Sequence, residues 1–201
     1  MKNKIILISA LLTLLSSCSE KADTNEDIKS INDYAGEYSV VAMEWNKYGE
    51  RGIYTVDIDG DGGSCNDIVQ ETLKMTDNSK WKNSTLYINK DGKTATFRAY
   101  IPVLDYYDLT SGGLTLNDPP FGFADIFLNV SMNEDGILES DKFDHLDWPD
   151  DNRIGLKTLS GIQISDSWIH HIYLTLDHYL VYDHATSTLI DGYVKVILVK
   201  E

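Results

Sequence analysis

Basic residues are scarce in this chain of 201 residues: 17 Lys and Arg stand against 32 Asp and Glu, a formal charge of −15. Nucleic acid held through its backbone phosphates needs Lys and Arg to replace counterions, so that class of partner is excluded. An anionic membrane surface offers the chain no attraction either. Long apolar runs are missing too: the run from Ile5 to Leu15 falls short of the roughly 20 residues a spanning helix needs. Cysteine occurs only at Cys18 and Cys65. There is no repeat of fixed period, no nucleophile elbow, no zincin motif and no phosphate loop. The five histidines, His145, His170, His171, His178 and His184, are scattered. A zinc site wants three or four convergent ligands, and adjacent strand residues such as His170 and His171 face opposite sides. With so many carboxylates, no single pair points to sugar hydrolysis, which depends on a defined separation. The expectation is a protein that is not an enzyme.

What is present begins at the N-terminus, MKNKIILISALLTLLSSC. Lys2 and Lys4, the short apolar run and then Leu15-Ser16-Ser17-Cys18 have the layout of a secretory signal. Its end resembles a bacterial lipoprotein box. That resemblance implies cleavage after residue 17 and lipid on Cys18, with acyl chains such as palmitate supplying the membrane attachment that charge does not. Removing residues 1–17 leaves 184 and takes away Lys2 and Lys4, so the formal charge becomes −17. Cys65 then has no partner for an intramolecular disulfide, and a core must hold the domain. Ser19 stands where lipoprotein families place the Asp that retains them at the inner membrane, so the resemblance implies the outer membrane, with either leaflet open. Residues 18–33 are polar and read as a lipidated cysteine and flexible tether; residues 34–201 read as one domain.

From Tyr34 onward the pattern is mostly β. GEYSVVAMEW, 36–45, is rich in β-branched and aromatic residues and predicts a first strand. Residues 84–104 form a hairpin pattern around Asn89-Lys90-Asp91-Gly92, and 124–138 repeat it around Glu134-Asp135-Gly136. Residues 167–200 predict three strands. Trp168, His170, Ile172, Leu174 and Leu176 share a face in the first; Val194, Val196 and Leu198 share one in the last, with Tyr193, Lys195 and Ile197 opposite. Residues 105–123 and 139–161 read as long connections. SCNDIVQETLKM, 64–75, predicts one helix, with Ser64 and Asp67 spaced like a capping box. Seven or eight strands at regular spacing predict an all-β fold with one short helix, an antiparallel barrel or a β-sandwich.

The stretch VDIDGDGGSCND, 56–67, carries the most chemistry. Alternation puts Asp57, Asp59 and Asp61 on one side, where three carboxylates supply hard oxygen ligands for calcium. With Asp57 as position one, Gly62 is the turn glycine at six and Gly63 offers its carbonyl at seven, but position twelve is Ile68 and not an acid. Asp67 or Glu71, four apart on the predicted helix, would have to complete the site. The alternative is an Asp-rich turn whose side chains bond their own backbone and cap the helix. Tyr106, Tyr107, Phe121, Phe123 and Trp148 lie in or beside the two predicted long connections. They are candidates for stacking on a sugar or another small ligand, or for packing over the domain's ends.

Cys18, Gly36-Glu37-Tyr38 and Asp57-Ile58-Asp59-Gly60-Asp61-Gly62 before a short helix together resemble a group of lipocalin-like lipoproteins of Gram-negative bacteria. Those proteins carry a lipobox, a Gly-x-Trp-like first strand and a D-x-[ND]-G-D-G segment. Tyr38 stands here where the group has Trp. The resemblance covers residues 36–75 and implies an up-and-down barrel of about eight strands, able to hold a small apolar or amphipathic ligand in its mouth. A surface module binding glycans or a protein partner, with a calcium-braced loop, is the second expectation.

Overall fold

A computed structural model of the chain describes residues 30–72, 83–109, 113–143, 160–168 and 170–201, with backbone alone at 106–109, 113–121 and 160. Among these residues lie eight strands: β1 Gly36–Lys47, β2 Ser84–Ile88, β3 Ala95–Leu109, β4 Gly113–Met132, β5 Leu138–Ser140, β6 Ser160–Trp168, β7 His171–Asp183 and β8 Thr188–Lys200. The order is β5-β4-β3-β2-β1-β8-β7-β6, so every strand neighbours its sequence neighbours and β1 joins β8. All the pairings are antiparallel. Between β5 and β6 the ladder is replaced by other contacts. Leu138 N donates to Ser167 Oγ at 2.7 Å and Ile164 N to Ser140 Oγ at 2.8 Å. Beyond them Phe143 and Ile162 exchange both backbone bonds, at 2.8 and 2.9 Å. The result is a nearly closed up-and-down barrel and not a sandwich. Near-closure leaves little unpaired edge.

The interior comes from period-two patterning. Val194, Val196 and Leu198 of β8 are buried, as are Ala124, Ile126, Leu128 and Val130 of β4. Two bulges reset the count. β1 buries Tyr38 and Val40, slips at Val41, then buries Met43 and Trp45. β7 buries Ile172, Leu174 and Leu176, slips at Asp177-His178, then buries Tyr179, Val181 and Asp183. One inserted residue turns the following side chains to the other face, which keeps the apolar set inside.

Large side chains fill this space. Trp45 Nε1 reaches across to Tyr179 O at 3.2 Å, and Leu104 N donates to Tyr179 Oη at 3.2 Å. Tyr38 meets Phe97 edge to face, with centroids 5.9 Å apart. Gly192 has no side chain because a Cβ there would strike the Trp45 ring and the Asn46 carbonyl. The base of the barrel, where β1 begins, is closed by a 3-10 turn, Ile31–Tyr34, capped by Ser30. Tyr34 is buried and donates to Gly136 O at 3.1 Å; Tyr38 Oη donates to Tyr34 O at 2.6 Å. Burial, with the Tyr34 phenol nearby, pushes the Tyr38 phenol well up. Residues 30–33, read above as the end of the tether, are thus part of the barrel. Residues 18–29 lie outside the described residues.

Four expectations are corrected. Residues 105–123 are not a loop: β3 runs to Leu109, β4 starts at Gly113, and Tyr106 pairs with Leu116. The register jumps from Leu116 to Phe121, which takes Pro119 and Pro120 out of the ladder, where their missing N–H would cost a bond. Trp168 and His170 do not begin a strand shared with Ile172: Trp168 ends β6 and His170 sits in the turn at φ 73°. The helix, α1, spans Ile68–Thr72, shorter than predicted at its start. Its N-cap is Asp67, whose Oδ1 accepts from Val69 N at 3.0 Å, while Ser64 Oγ turns to Thr55 Oγ1 at 3.1 Å.

Candidate metal centre

The aspartate loop connects β1 to α1 at the mouth of the barrel, the end opposite the 3-10 turn. Val56 and Cys65 exchange backbone bonds at 3.0 and 3.2 Å and pin its two ends together. Inside, each aspartate binds backbone ahead of it. Asp57 Oδ1 accepts from Gly60 N at 2.8 Å and Oδ2 from Gly62 N at 3.2 Å. Asp59 Oδ1 accepts from Asp61 N at 3.0 Å, and Asp61 Oδ1 from Gly63 N at 2.8 Å. Such turns suit short acidic side chains followed by residues free to take positive φ; Gly60 and Gly62 sit at φ 75° and 85°. Ile58 is fully buried between the carboxylates and anchors the loop in the core.

The loop is stitched to the β7–β8 turn. His184 N donates to Asp57 O at 2.8 Å, and Asp57 N donates to Asp183 Oδ1 at 3.0 Å. Asp183 is itself buried, and Thr186 Oγ1 donates to its Oδ2 at 2.6 Å. Burial alone would raise the Asp183 carboxyl; the bonds from Thr186 Oγ1 and from the N–H groups of Asp57, Ala185 and Thr186 outweigh it and hold the group below its ordinary value. Nothing in local sequence spacing marks this brace, because Asp57 and Asp183 are 126 residues apart.

Carboxylate oxygens of Asp57, Asp59, Asp61 and Glu71 all lie within 4.8 Å of one another. Asp57 is only 5 % exposed; Asp59 and Glu71 are half-buried and Asp61 is exposed. Burial pushes the Glu71 carboxyl up, the Ile58 N–H opposes this, and the charges of Asp59 and Asp57 add to the rise. Burial likewise raises the neighbouring Cys65 thiol; a backbone hydrogen bond with Asp67 opposes this and the charge of Glu71 adds to the rise, so Cys65 is a neutral donor and not a thiolate. Of the sequence candidates, Asp67 stands apart: its Oδ1 serves Met43 N and Val69 N, each at 3.0 Å, and Trp45 N beside it bonds Asn66 O at 2.8 Å. Asp67 is therefore the seam between α1 and the edge of β1. Gly63 enters through its N–H, which orients Asp61. The donor set is four hard oxygens, each able to accept more than one contact, which suits a calcium-sized cation.

Of the aromatic candidates, only the side chain of Phe123 is among the described residues. Phe123 lies on the outer face of β4, stacked on Tyr100 with centroids 4.6 Å apart and rings 5° from parallel. Trp148 and the side chains of Tyr106, Tyr107 and Phe121 lie outside the described residues. Cys18 does as well.

No protein-family model matches the chain, and no curated protein does. Among solved structures it is similar to bovine odorant binding protein complexed with its natural ligand, at 9% identity, covering 86% of this chain and 74% of that one with a TM-score of 0.31. It is also similar to a deswapped triple mutant of bovine odorant binding protein, at 10% identity, 84% and 74% coverage and a TM-score of 0.28. At that identity and score the likeness says nothing of what this chain binds.

Proposed function

We propose that this is a cell-envelope lipoprotein, held at the outer membrane by lipid on Cys18, that works by binding and not by catalysis, and whose mouth is braced by a calcium ion. The observation that supports the calcium site is the convergence of Asp57, Asp59, Asp61 and Glu71 within 4.8 Å, with Glu71 arriving from α1 and not from the loop. Four like charges at that spacing repel one another, and a divalent cation would relieve the repulsion. A bound ion would join the loop to α1 exactly where Asp57 joins the loop to β7–β8, so the β1–β2 connection would be locked at the mouth. Calcium titration of residues 19–201, by calorimetry and melting, tests this. A ligand that binds only the folded chain raises the midpoint, by about 2.7 kcal/mol of stability at a hundredfold excess over Kd. Asp59→Ala should abolish the rise. Absence of both heat and midpoint shift at millimolar calcium refutes the site.

A small apolar or amphipathic ligand is the second reading. It is supported by the barrel itself: β3 and β4 continue past Leu104 and Phe121, beyond the level where Tyr179 and Trp45 fill the interior. Barrels of this size take a ligand at the mouth. Native mass spectrometry of protein from its host should show a retained mass that organic extraction removes; a bare chain in repeated preparations counts against the carrier role.

A further inference from the structure

We propose that the base of the barrel lies against the membrane that carries the lipid, with Trp168 in the headgroup layer and the aspartate cluster facing away. The inference rests on the reading of Cys18 as the lipid anchor and adds an orientation to it. Eleven residues, 19–29, lie between Cys18 and Ser30, a span of at most about 40 Å when fully extended. Ser30 does not leave the barrel at a random place: it caps the 3-10 turn, whose Ile31 and Tyr34 are buried under the base. The anchor therefore holds this end near the bilayer, at an effective concentration far above that of a free protein.

Trp168 is at the same end. Lys200 Nζ donates to Asp33 O in the 3-10 turn at 2.9 Å, and Lys200 N donates to His170 O at 2.8 Å. One residue thus ties the exit of the N-terminus to the β6–β7 turn that Trp168 opens. The Trp168 side is 61% exposed, whereas Trp45 is wholly buried. A lone exposed tryptophan needs no explanation elsewhere on a surface. Here it projects beside the anchored end, and an indole, apolar in body with one N–H, favours the bilayer interface. Charge opposes the contact: against Lys90, Lys93 and Lys200 stand Asp33, Asp91, Glu134, Asp135 and Glu201 at the same end, so the base is net acidic. The contact is therefore apolar and tether-held, and added salt, which screens the repulsion, does not weaken it.

The test uses the full lipidated chain in vesicles of phosphatidylethanolamine and phosphatidylglycerol carrying nitroxide on the headgroup. Tryptophan emission should be quenched, the quenched component should disappear in Trp168→Phe, and quenching should not fall as salt is raised. Asp59→Ala, at the other end, should leave it unchanged. If mass spectrometry shows lipid on Cys18 yet wild type and Trp168→Phe are quenched alike, the orientation is overturned while the anchor stands. If Cys18 carries no lipid, both fall. Protection of Trp168 in native envelopes but not in vesicles would assign the base to a protein partner and also overturn it.

Discussion

At the scale of the residue, two carboxyls at the mouth move in opposite directions, and their pH signatures follow. The Glu71 carboxyl is raised, by burial first and then by Asp59 and Asp57. Its fold therefore favours the protonated form: the stability it contributes is present below the ordinary glutamate range and is lost as pH rises through its folded pKa. Asp183 is lowered by its hydrogen bonds against the effect of burial. Its contribution is present above the ordinary aspartate range and is lost as pH falls through its folded pKa. In calcium-free buffer, Glu71→Gln should melt higher than wild type by about a few degrees at neutral pH, with the gap closing in acid. In calcium the order should reverse, because the variant gives up one of four ligands and on the order of tenfold in affinity. Melting curves against pH, with and without calcium, check both; curves that run parallel at every pH would show that Glu71 does not feel the cluster.

At the scale of the element, the hairpins were the most legible part. Asp91-Gly92 and Asp135-Gly136 state their turns, and the unbroken alternation of β8 states its faces. What the sequence hid had physical causes. Pro119 and Pro120 make a strand look like a loop when the ladder simply passes them by. Trp168 and His170 share the parity of Ile172 by coincidence, across a turn. Three of the clustered carboxylates follow from spacing, but the choice between Asp67 and Glu71 does not, because it depends on Met43 N, which is 24 residues from Asp67. That choice is testable. Asp67→Ala removes the cap of α1 and leaves the Met43 N–H without its acceptor, a loss of roughly 1–3 kcal/mol. The calcium-induced rise in midpoint should nevertheless survive in Asp67→Ala. If it vanishes while Glu71→Gln keeps it, the fourth ligand has been assigned to the wrong residue.

At the scale of the whole molecule, the barrel has one weak line. Seven interstrand boundaries are backbone ladders. The eighth, between β5 and β6, relies on Ser140 and Ser167 hydroxyls and on the single pair of Phe143 and Ile162. A hydroxyl oxygen satisfies a backbone donor as a carbonyl does, but it is lost with one side chain. Ser167→Ala leaves the buried Leu138 N–H unsatisfied, and Ser140→Ala does the same to Ile164; each should cost about 1–3 kcal/mol. Because both act on one boundary, their effects should couple instead of adding, as neighbouring sites do. Amide exchange reads the location as well as the size. In the double variant, Leu138, Phe143, Ile162 and Ile164 should exchange faster, while Met43 and Trp45 of β1, across the barrel from the seam, keep their protection. Equal acceleration on both sides would mean that the barrel opens as one unit and that the seam is not its weakest boundary.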